Sequence, residues 1–184
     1  METLHKIIDE KKRLHDMSQI SLWLFDYEDI FSDFDPRPYE DRSLSDDFLI
    51  EAKKASVKKA SGAEELNLYL PSNNRDKKTE NIIIRRLRKH FNNNYKSKIA
   101  ERKKMIQQGI TFILLGTILM LITTLIHYYE EGLLLSFLIV LFEPASWFLL
   151  WEGLNIVMLK TKEQNPELTF YEAMAQCEIH FKSY

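Results

Sequence analysis

The chain contains a single cysteine, Cys177, among its 184 residues. One cysteine cannot form an intramolecular disulfide, so a disulfide-stapled secreted fold is excluded and a reducing compartment is expected. The first residues, Met1-Glu-Thr-Leu-His-Lys6, lack the apolar stretch of a signal peptide, and we therefore expect no cleavable one. Both absences are typical of a chain whose soluble part faces a reducing compartment.

Catalytic motifs are also missing. The sequence has no glycine-rich phosphate-binding loop and no Gly-x-Ser-x-Gly element, and Cys177 has no neighbouring arrangement of bases. The histidines are scattered without the spacing of metal ligands: His5, His15, His90, His127 and His180. We therefore expect that the protein is not an enzyme, and the sequence identifies no catalytic residue, no metal site and no cofactor.

Lysine and arginine are absent from residues 105–159, which hold only four acidic side chains. A helix of about 20 apolar residues crosses a bilayer, and this window contains two such runs. The sequence predicts a first transmembrane helix over 105–129 and a second over 133–159, kinked at Pro144. Residues 130–132 would form the extracytoplasmic turn between them.

Charge is distributed unevenly around these predicted spans. Residues 61–104 carry 12 basic and 5 acidic side chains, and they end in Arg102-Lys103-Lys104, directly before the first span. Lys160 and Lys162 follow the second span, whereas the turn contains Glu130 and Glu131. Basic flanks remain on the cytoplasmic side. We therefore predict a multi-pass protein of the cell (inner) membrane with both termini in the cytoplasm.

Residues 1–79 have the patterns of a small soluble domain. Amphipathic or alternating segments predict, in order, a helix over Thr3–Met17, a strand over Ile20–Phe25, a helix from Ser43 or Ser45 to about Ala60, and a strand over Leu66–Leu70. A strand–helix–strand unit places its two strands in parallel. The predicted fold class is an α+β membrane protein with a cytoplasmic α/β domain of order α-β-α-β-α.

Two further helices are predicted outside the spans. Apolar residues recur at helical spacing in 80–104, which would join the domain to the first span as a basic amphipathic stalk. Residues 160–184 would form a C-terminal cytoplasmic amphipathic helix, with Asn165-Pro166-Glu167 at its start. A two-stranded sheet has two open edges. Either a third strand exists, for which Asn81–Ile84 is the candidate, or another subunit closes the edges.

Glu143 lies near the middle of the second predicted span. A carboxylate at that depth costs about 3 kcal/mol on insertion scales, so it should face water or protein. The predicted intramembrane polar site comprises Glu143, Pro144, Ser146 and Glu152, and its functional interpretation is the lining of a pore. Two alternatives remain open. Glu143 can hydrogen-bond structurally to Thr111, Thr117, Thr123, Thr124 or Ser146, and Glu152 can pair with Lys160.

A basic set forms the second candidate site: Arg85, Arg86, Arg88, Lys89, Arg102, Lys103 and Lys104. The last three are expected to contact lipid headgroups. The first four can bind an anionic small ligand such as a nucleotide, form a solvated face, or pair with the acidic residues between Asp26 and Asp47. No duplex nucleic acid is expected as a partner.

The acidic stretch itself contains Asp29, Asp33 and Asp35, whose oxygens are suitable ligands for a hard cation. Their spacing does not match a calcium-binding EF-hand loop, because the glycine and the terminal glutamate are missing. The favoured interpretation is therefore a structured turn in which Arg37 and Arg42 pair with local carboxylates.

These patterns lead to a functional hypothesis. An isolated pair of helices shields Glu143 poorly, which favours a homo-oligomer. We expect an oligomeric two-pass membrane protein that acts as a gated pore or membrane-perturbing effector and is controlled by its cytoplasmic domain. The alternative is a membrane-anchored adaptor or scaffold that recruits a cytoplasmic protein. The expected partners are the lipid bilayer, further copies of the chain and an anionic small ligand.

Overall fold

The computed structural model describes residues 19–57, 65–128, 132–163 and 165–184. Its elements are β1 (Gln19–Trp23), a 3-10 turn (Tyr27–Ile30), α1 (Asp46–Val57), β2 (Glu65–Leu70), a second 3-10 turn (Ser72–Asn74), α2 (Lys77–Tyr128), α3 (Leu133–Asn155), a π-helical turn (Ile156–Lys160), a single helical turn (Thr161–Glu163), α4 (Asn165–Gln176) and β3 (Glu178–Ser183). The predicted helix over Thr3–Met17 lies outside the described residues.

The chain divides into two compact units. The α/β unit comprises Met1–Lys96 and Thr169–Tyr184, and the hairpin unit comprises Ser97–Leu168. The long helix α2 therefore begins in the first unit and ends in the second. The predicted stalk, 80–104, and residues 105–128 of the predicted first span are parts of this one helix.

The sheet of the α/β unit has the order β1-β2-β3, and both pairings are parallel. Ile20 lies opposite Leu66, which in turn lies opposite Ile179. The strands β1 and β2 flank α1 in the chain, and parallel pairing is what a strand–helix–strand unit requires. The central strand β2 consequently carries the core-facing row Leu66, Leu68 and Leu70, all fully buried.

The helix predicted over residues 160–184 is wrong beyond Gln176, because Glu178–Ser183 forms β3. Ile179 and Phe181 are buried while their neighbours Glu178 and His180 are exposed, which is the two-residue alternation of a strand. The missing strand is thus β3 and not Asn81–Ile84, which is helical. The sheet therefore contains the third strand that the sequence left open as an alternative, and β1 and β3 are its edge strands.

Large apolar side chains from two helices cover the core face of the sheet. Ile83, Leu87 and Phe91 of α2 are fully buried, and Phe170 and Met174 of α4 belong to the same cluster. The rings of Phe91 and Phe170 meet edge to face, with centroids 6.2 Å apart. Removing this apolar surface from water is the main stabilising contribution to the unit.

A buried ion pair connects the start of α2 to β3. Arg75 Nε donates to Glu80 Oε1 at 2.7 Å, and Arg75 Nη2 donates to the carbonyl of Phe181 at 3.1 Å. The Tyr27 hydroxyl also donates to Glu80, at 3.3 Å, and burial raises the pKa of this phenol. Each charge is largely removed from water and is stabilised by the other, so the contact holds the start of α2 against β3.

Two helices of the described chain are long and apolar enough to cross a membrane, Lys77–Tyr128 and Leu133–Lys160. Only 17% and 6% of their most apolar windows is buried, so their apolar side chains point outwards, unlike those of a core helix in a soluble protein. The second of these remains α-helical on both sides of Pro144 and changes to a π-helical turn at Ile156. The helix is therefore continuous through Pro144, the position of the predicted kink.

Candidate functional site

Small residues bring α2 and α3 together in the hairpin unit. Gly109, Gly116 and Thr123 recur every seven residues on α2, and Ser146 and Gly153 have the same spacing on α3. All five are buried in a region whose larger side chains are mostly exposed. A seven-residue repeat keeps its members on one helix face, so these residues form a continuous seam.

The two backbones touch along this seam. A Cβ atom added to Gly116 would lie 2.8 Å from the amide nitrogen of Leu150, and one added to Gly153 would lie 2.7 Å from the carbonyl oxygen of Gly109. Gly109 approaches Ile156 and Val157, whereas Gly116 approaches Ser146 and Leu150, so the helices are antiparallel. Such close packing of small residues is typical of helices that associate in lipid.

The predictions did not include this seam, although the sequence carries its signal. The signal is the recurrence of glycine or a small hydroxyl residue at intervals of seven, which is visible at Gly109, Gly116 and Thr123 and again at Ser146 and Gly153. It is easily overlooked because the residues between them are uniformly apolar.

A groove of about 380 Å³ opens beside the seam, towards the end of α2. Its lining combines apolar walls with a carboxylate, an imidazole and hydroxyls: Met120, Thr123, Thr124, His127, Ile139, Glu143, Ser146 and Trp147. The side chain of Glu143 is exposed. Of the four residues predicted for the intramembrane site, Glu143 and Ser146 line this groove, while Pro144 is the next residue of α3.

The hydroxyl groups near Glu143 are committed to their own helices. Ser146 Oγ donates to the carbonyl of Glu143 at 2.8 Å, and Thr123 and Thr124 donate to carbonyls four residues before them. Thr111 and Thr117 do the same. A hydroxyl has only one proton to donate, so none of the five donates to the Glu143 carboxylate. The alternative in which these residues are structural partners of Glu143 therefore stays a prediction, and it would require Glu143 to be the donor.

The groove has the chemistry of a site for a cation or for water. Carboxylate and hydroxyl oxygens are acceptors, and the hydroxyls of Thr123 and Thr124 retain lone pairs after donating to the backbone. The imidazole of His127 adds a ring nitrogen that can donate or accept a hydrogen bond. The arrangement offers acceptors and negative charge in an otherwise apolar surface.

Glu152 lies apart from this groove and has its own partners. Lys160 Nζ donates to Glu152 Oε1 at 2.7 Å, and the amide of Asn155 donates to Glu152 Oε2 at 3.2 Å. Lys160 is the last residue of the π-helical turn. The next residue, Thr161, donates its hydroxyl to the carbonyl of Ile156, the first residue of that turn, at 3.0 Å. The structure therefore does not bring Glu143 and Glu152 into one site.

Part of the basic set is engaged with the loop that follows β1. Arg86 Nε donates to the carbonyl of Arg42 at 2.8 Å, and Lys89 Nζ lies 3.9 Å from Asp41. Arg85, Arg86 and Lys89 line a smaller groove of about 200 Å³ together with Glu40. The carboxylate of Glu40 opposes an anionic ligand there. Arg88 does not line this groove.

The remaining members of the basic set lie in the hairpin unit. Because Gly109 packs against Val157 in an antiparallel pair, Arg102, Lys103 and Lys104 lie at the same end of the hairpin as Lys160 and Lys162. Basic side chains from both helices are thus concentrated at the end opposite the turn.

The acidic loop after β1 is internally paired. Arg37 donates to Asp35 from Nη2 at 2.7 Å and the Ser43 amide donates at 2.7 Å, so the pKa of Asp35 lies well below its usual range. Arg42 pairs with Glu28. These contacts describe a structured turn with local ion pairs. Among the described residues, no group of three or more histidine, cysteine or acidic side chains is arranged to hold a metal ion.

Comparison with protein-family models, with characterised proteins and with solved structures finds no match to this chain. The function is therefore proposed from the geometry of the two units.

Proposed function

We propose that the chain spans a membrane twice and that several copies assemble through their hairpin units into a gated pore, in which Glu143 lines the conducting path. The observation that carries this proposal is the exposed carboxylate of Glu143 in a polar groove within an apolar hairpin. An unpaired carboxylate facing lipid costs about 3 kcal/mol. Further copies that place Glu143 around a shared aqueous path would remove that cost.

The end-to-end charge of the hairpin supports an orientation for this assembly. Arg102, Lys103 and Lys104 lie at one end with Lys160 and Lys162, and the sequence between α2 and α3 contains Glu130 and Glu131, which are outside the described residues. Under the positive-inside rule, the basic end faces the cytoplasm. We propose that the α/β unit and both termini are cytoplasmic and that the membrane is the cell (inner) membrane.

Control by the α/β unit is proposed from the continuity of α2. This helix begins beside the buried Arg75–Glu80 pair and ends beside the groove that contains Glu143. Helical hydrogen bonding makes such a segment stiff over its length. A ligand or partner that displaces the start of α2 would therefore bias the hairpin.

Flux measurements in liposomes test the proposal. The full chain is reconstituted, and cation efflux is measured for the wild type, Glu143→Gln and Glu152→Gln. We expect flux from the wild type, loss or changed ion preference in Glu143→Gln, and little change in Glu152→Gln, because Lys160 already neutralises Glu152. Absence of wild-type flux with and without an applied osmotic gradient would overturn the pore. Equal flux in wild type and Glu143→Gln would remove Glu143 from the conducting path.

A second candidate function is a membrane-anchored adaptor that recruits a cytoplasmic protein. One observation favours it: the outer edge of β1 is not paired with any described strand. Crosslinking of the protein in membranes separates the candidates, because a pore requires an oligomer and an adaptor does not. A monomeric result together with absent flux would favour the adaptor.

A further inference from the structure

A second, larger groove lies along the outer edge of β1 in the α/β unit. Its volume is about 610 Å³, and we call it the β1 groove. Residues 21–25 form one wall, and the first turns of α1 form another. Its carboxylates are Glu28, Asp29, Asp33, Asp47 and Glu51, and none of the lining residues that the structure describes is basic. The groove therefore combines a strand edge with a strongly negative surround.

The backbone of β1 is available for pairing on this side. The amide of Leu24 donates to the carbonyl of Tyr69 on the inner side, at 2.9 Å. Amide and carbonyl groups alternate sides along a strand, so those of Ser21 and Trp23 point to the outer edge. In the part of the chain that the structure describes, no backbone group bonds to them.

We propose that the β1 groove binds an extended basic peptide segment of a partner protein, which adds a fourth strand to the sheet. Main-chain hydrogen bonds to Ser21 and Trp23 would supply affinity, as in other cases of strand addition. Lysine or arginine side chains of the peptide would pair with Asp33 and Asp47, whereas Glu51 already pairs with Lys54. The inference depends on the α/β unit alone and is independent of the pore.

Exposed aromatic side chains fit the same occupant. Trp23 is 67% exposed and Phe25 is 82% exposed, although both belong to the walls of the groove. Trp23 packs on Tyr69 and Tyr184, with ring centroids 5.3 Å and 4.5 Å away, whereas most of the Phe25 side chain is exposed. Cationic side chains bind favourably to aromatic faces, so the Phe25 ring suits a basic peptide.

Two features define the occupant further. Asp29 Oδ2 accepts the outward amide of Phe25 at 2.6 Å, so strand addition ends before Phe25 and covers Gln19–Trp23. A second copy of the chain would bring an equally acidic β1 groove to the same edge. Like charges at short range disfavour such pairing of two β1 edges. The acidic lining of the groove instead favours a basic segment from another protein as the occupant.

The test uses the full chain in detergent and a labelled probe peptide of alternating lysine and valine, about eight residues long, to match a strand. We expect binding that weakens as salt is added. The same peptide with alternate backbone amides methylated retains its charge but cannot form the strand hydrogen bonds, and it should bind about tenfold more weakly or worse. Equal binding of the methylated peptide would overturn strand addition.

Matched protein variants test the charge requirement. Asp33→Asn combined with Asp47→Asn should weaken binding about fivefold, which corresponds to the modest contributions of exposed ion pairs. Glu40→Gln combined with Glu178→Gln removes the same charge outside the groove and should leave binding unchanged. Equal affinity of both double variants would overturn the assignment. A disulfide between copies of Ser21→Cys that the probe does not prevent would also overturn it, because another copy would then occupy the edge.

Discussion

The two units of this chain are packed by opposite means. The α/β unit buries large side chains, among them Phe31, Phe91 and Met174, against a parallel sheet. The hairpin unit buries Gly116, Ser146 and Gly153, while large side chains such as Leu121 and Phe148 are exposed. In water the removal of apolar surface stabilises a core. In an apolar solvent that gain disappears, and close backbone packing takes its place.

Charge is treated differently in the two units as well. Glu80 of the α/β unit is 7% exposed and is paired with Arg75. Glu143 of the hairpin unit is exposed and lines an open groove. The Glu80 carboxylate is thus enclosed and paired within its unit, whereas the Glu143 carboxylate lies open at the surface of its unit. The two units therefore differ in how far a buried or exposed carboxylate is enclosed by the rest of its unit.

The largest expected effect tests the core of the α/β unit. Phe91→Ala should lower the free energy of unfolding of this unit by about 3–5 kcal/mol, because it removes a fully buried ring that packs on Phe170. Denaturant titration of the full chain in detergent measures it. Phe34→Ala is the control, since Phe34 is 98% exposed and should change little. Similar losses of unfolding free energy in both variants would show that burial of large side chains does not stabilise the α/β unit.

The buried ion pair gives the next effect. Glu80→Ala should destabilise the α/β unit by about 3 kcal/mol, because the half-buried Arg75 loses its carboxylate partner and keeps only neutral acceptors such as the Phe181 carbonyl. The matched control is Glu51→Ala, whose exposed pair with Lys54 contributes less than about 1 kcal/mol. Denaturant titration again provides the measurement. A smaller loss for Glu80→Ala than for Glu51→Ala would contradict the role assigned to the buried pair.

The seam of the hairpin should respond in the opposite sense to the core, by losing stability when a side chain is enlarged. Gly116→Ala places a methyl group 2.8 Å from backbone nitrogen of Leu150 and should destabilise the helix pair by about 1–3 kcal/mol. Phe148→Ala shortens an exposed side chain and should cost less. Thermal unfolding in detergent compares the two. If Phe148→Ala were the more damaging change, large side chains would pack the hairpin after all.

The smallest effect concerns the loop after β1. Burial and, next, the hydrogen bond to Glu28 raise the pKa of Tyr39 to about 12. Because the folded pKa lies above the ordinary value of 10.0, the contribution of Tyr39 to stability is complete below pH 10.0 and is lost as pH rises through about 12. Because burial also raises the pKa of Tyr27, the ultraviolet absorbance of tyrosinate should show several late-titrating phenols, one fewer in Tyr39→Phe than in the wild type. An unchanged titration curve in that variant would refute the assignment.

Local patterns were sufficient for much of the fold. Alternation at Ile20–Phe25 and Leu66–Leu70 located β1 and β2, and the lack of basic residues in 105–159 located two apolar helices. The strand β3 was missed because Ile179 and Phe181 directly follow a helical pattern. Its pairing with β2 joins residues far apart in the chain, and local periodicity contains no information on such pairing.

The candidate groove could be predicted only in part. Glu143 is conspicuous as a carboxylate within an apolar run, whereas its neighbours Thr124 and His127 come from another helix. Their proximity depends on the helix register, which the close approach at Gly116 and Gly153 sets. The hydroxyls of Thr123 and Ser146 donate to their own helices, a choice between acceptors that the sequence does not specify.

The position of β3 in the chain has a consequence for biosynthesis. A ribosome makes β1, β2 and the start of α2 first, then the whole apolar hairpin, and only afterwards the strand that pairs with β2. Until then, the growing chain carries a sheet with β2 at an unprotected edge. The sheet of the α/β unit is therefore complete only after the hairpin has been synthesised. A nascent chain stalled before Glu178 should consequently be a better chaperone substrate than one released after Ser183.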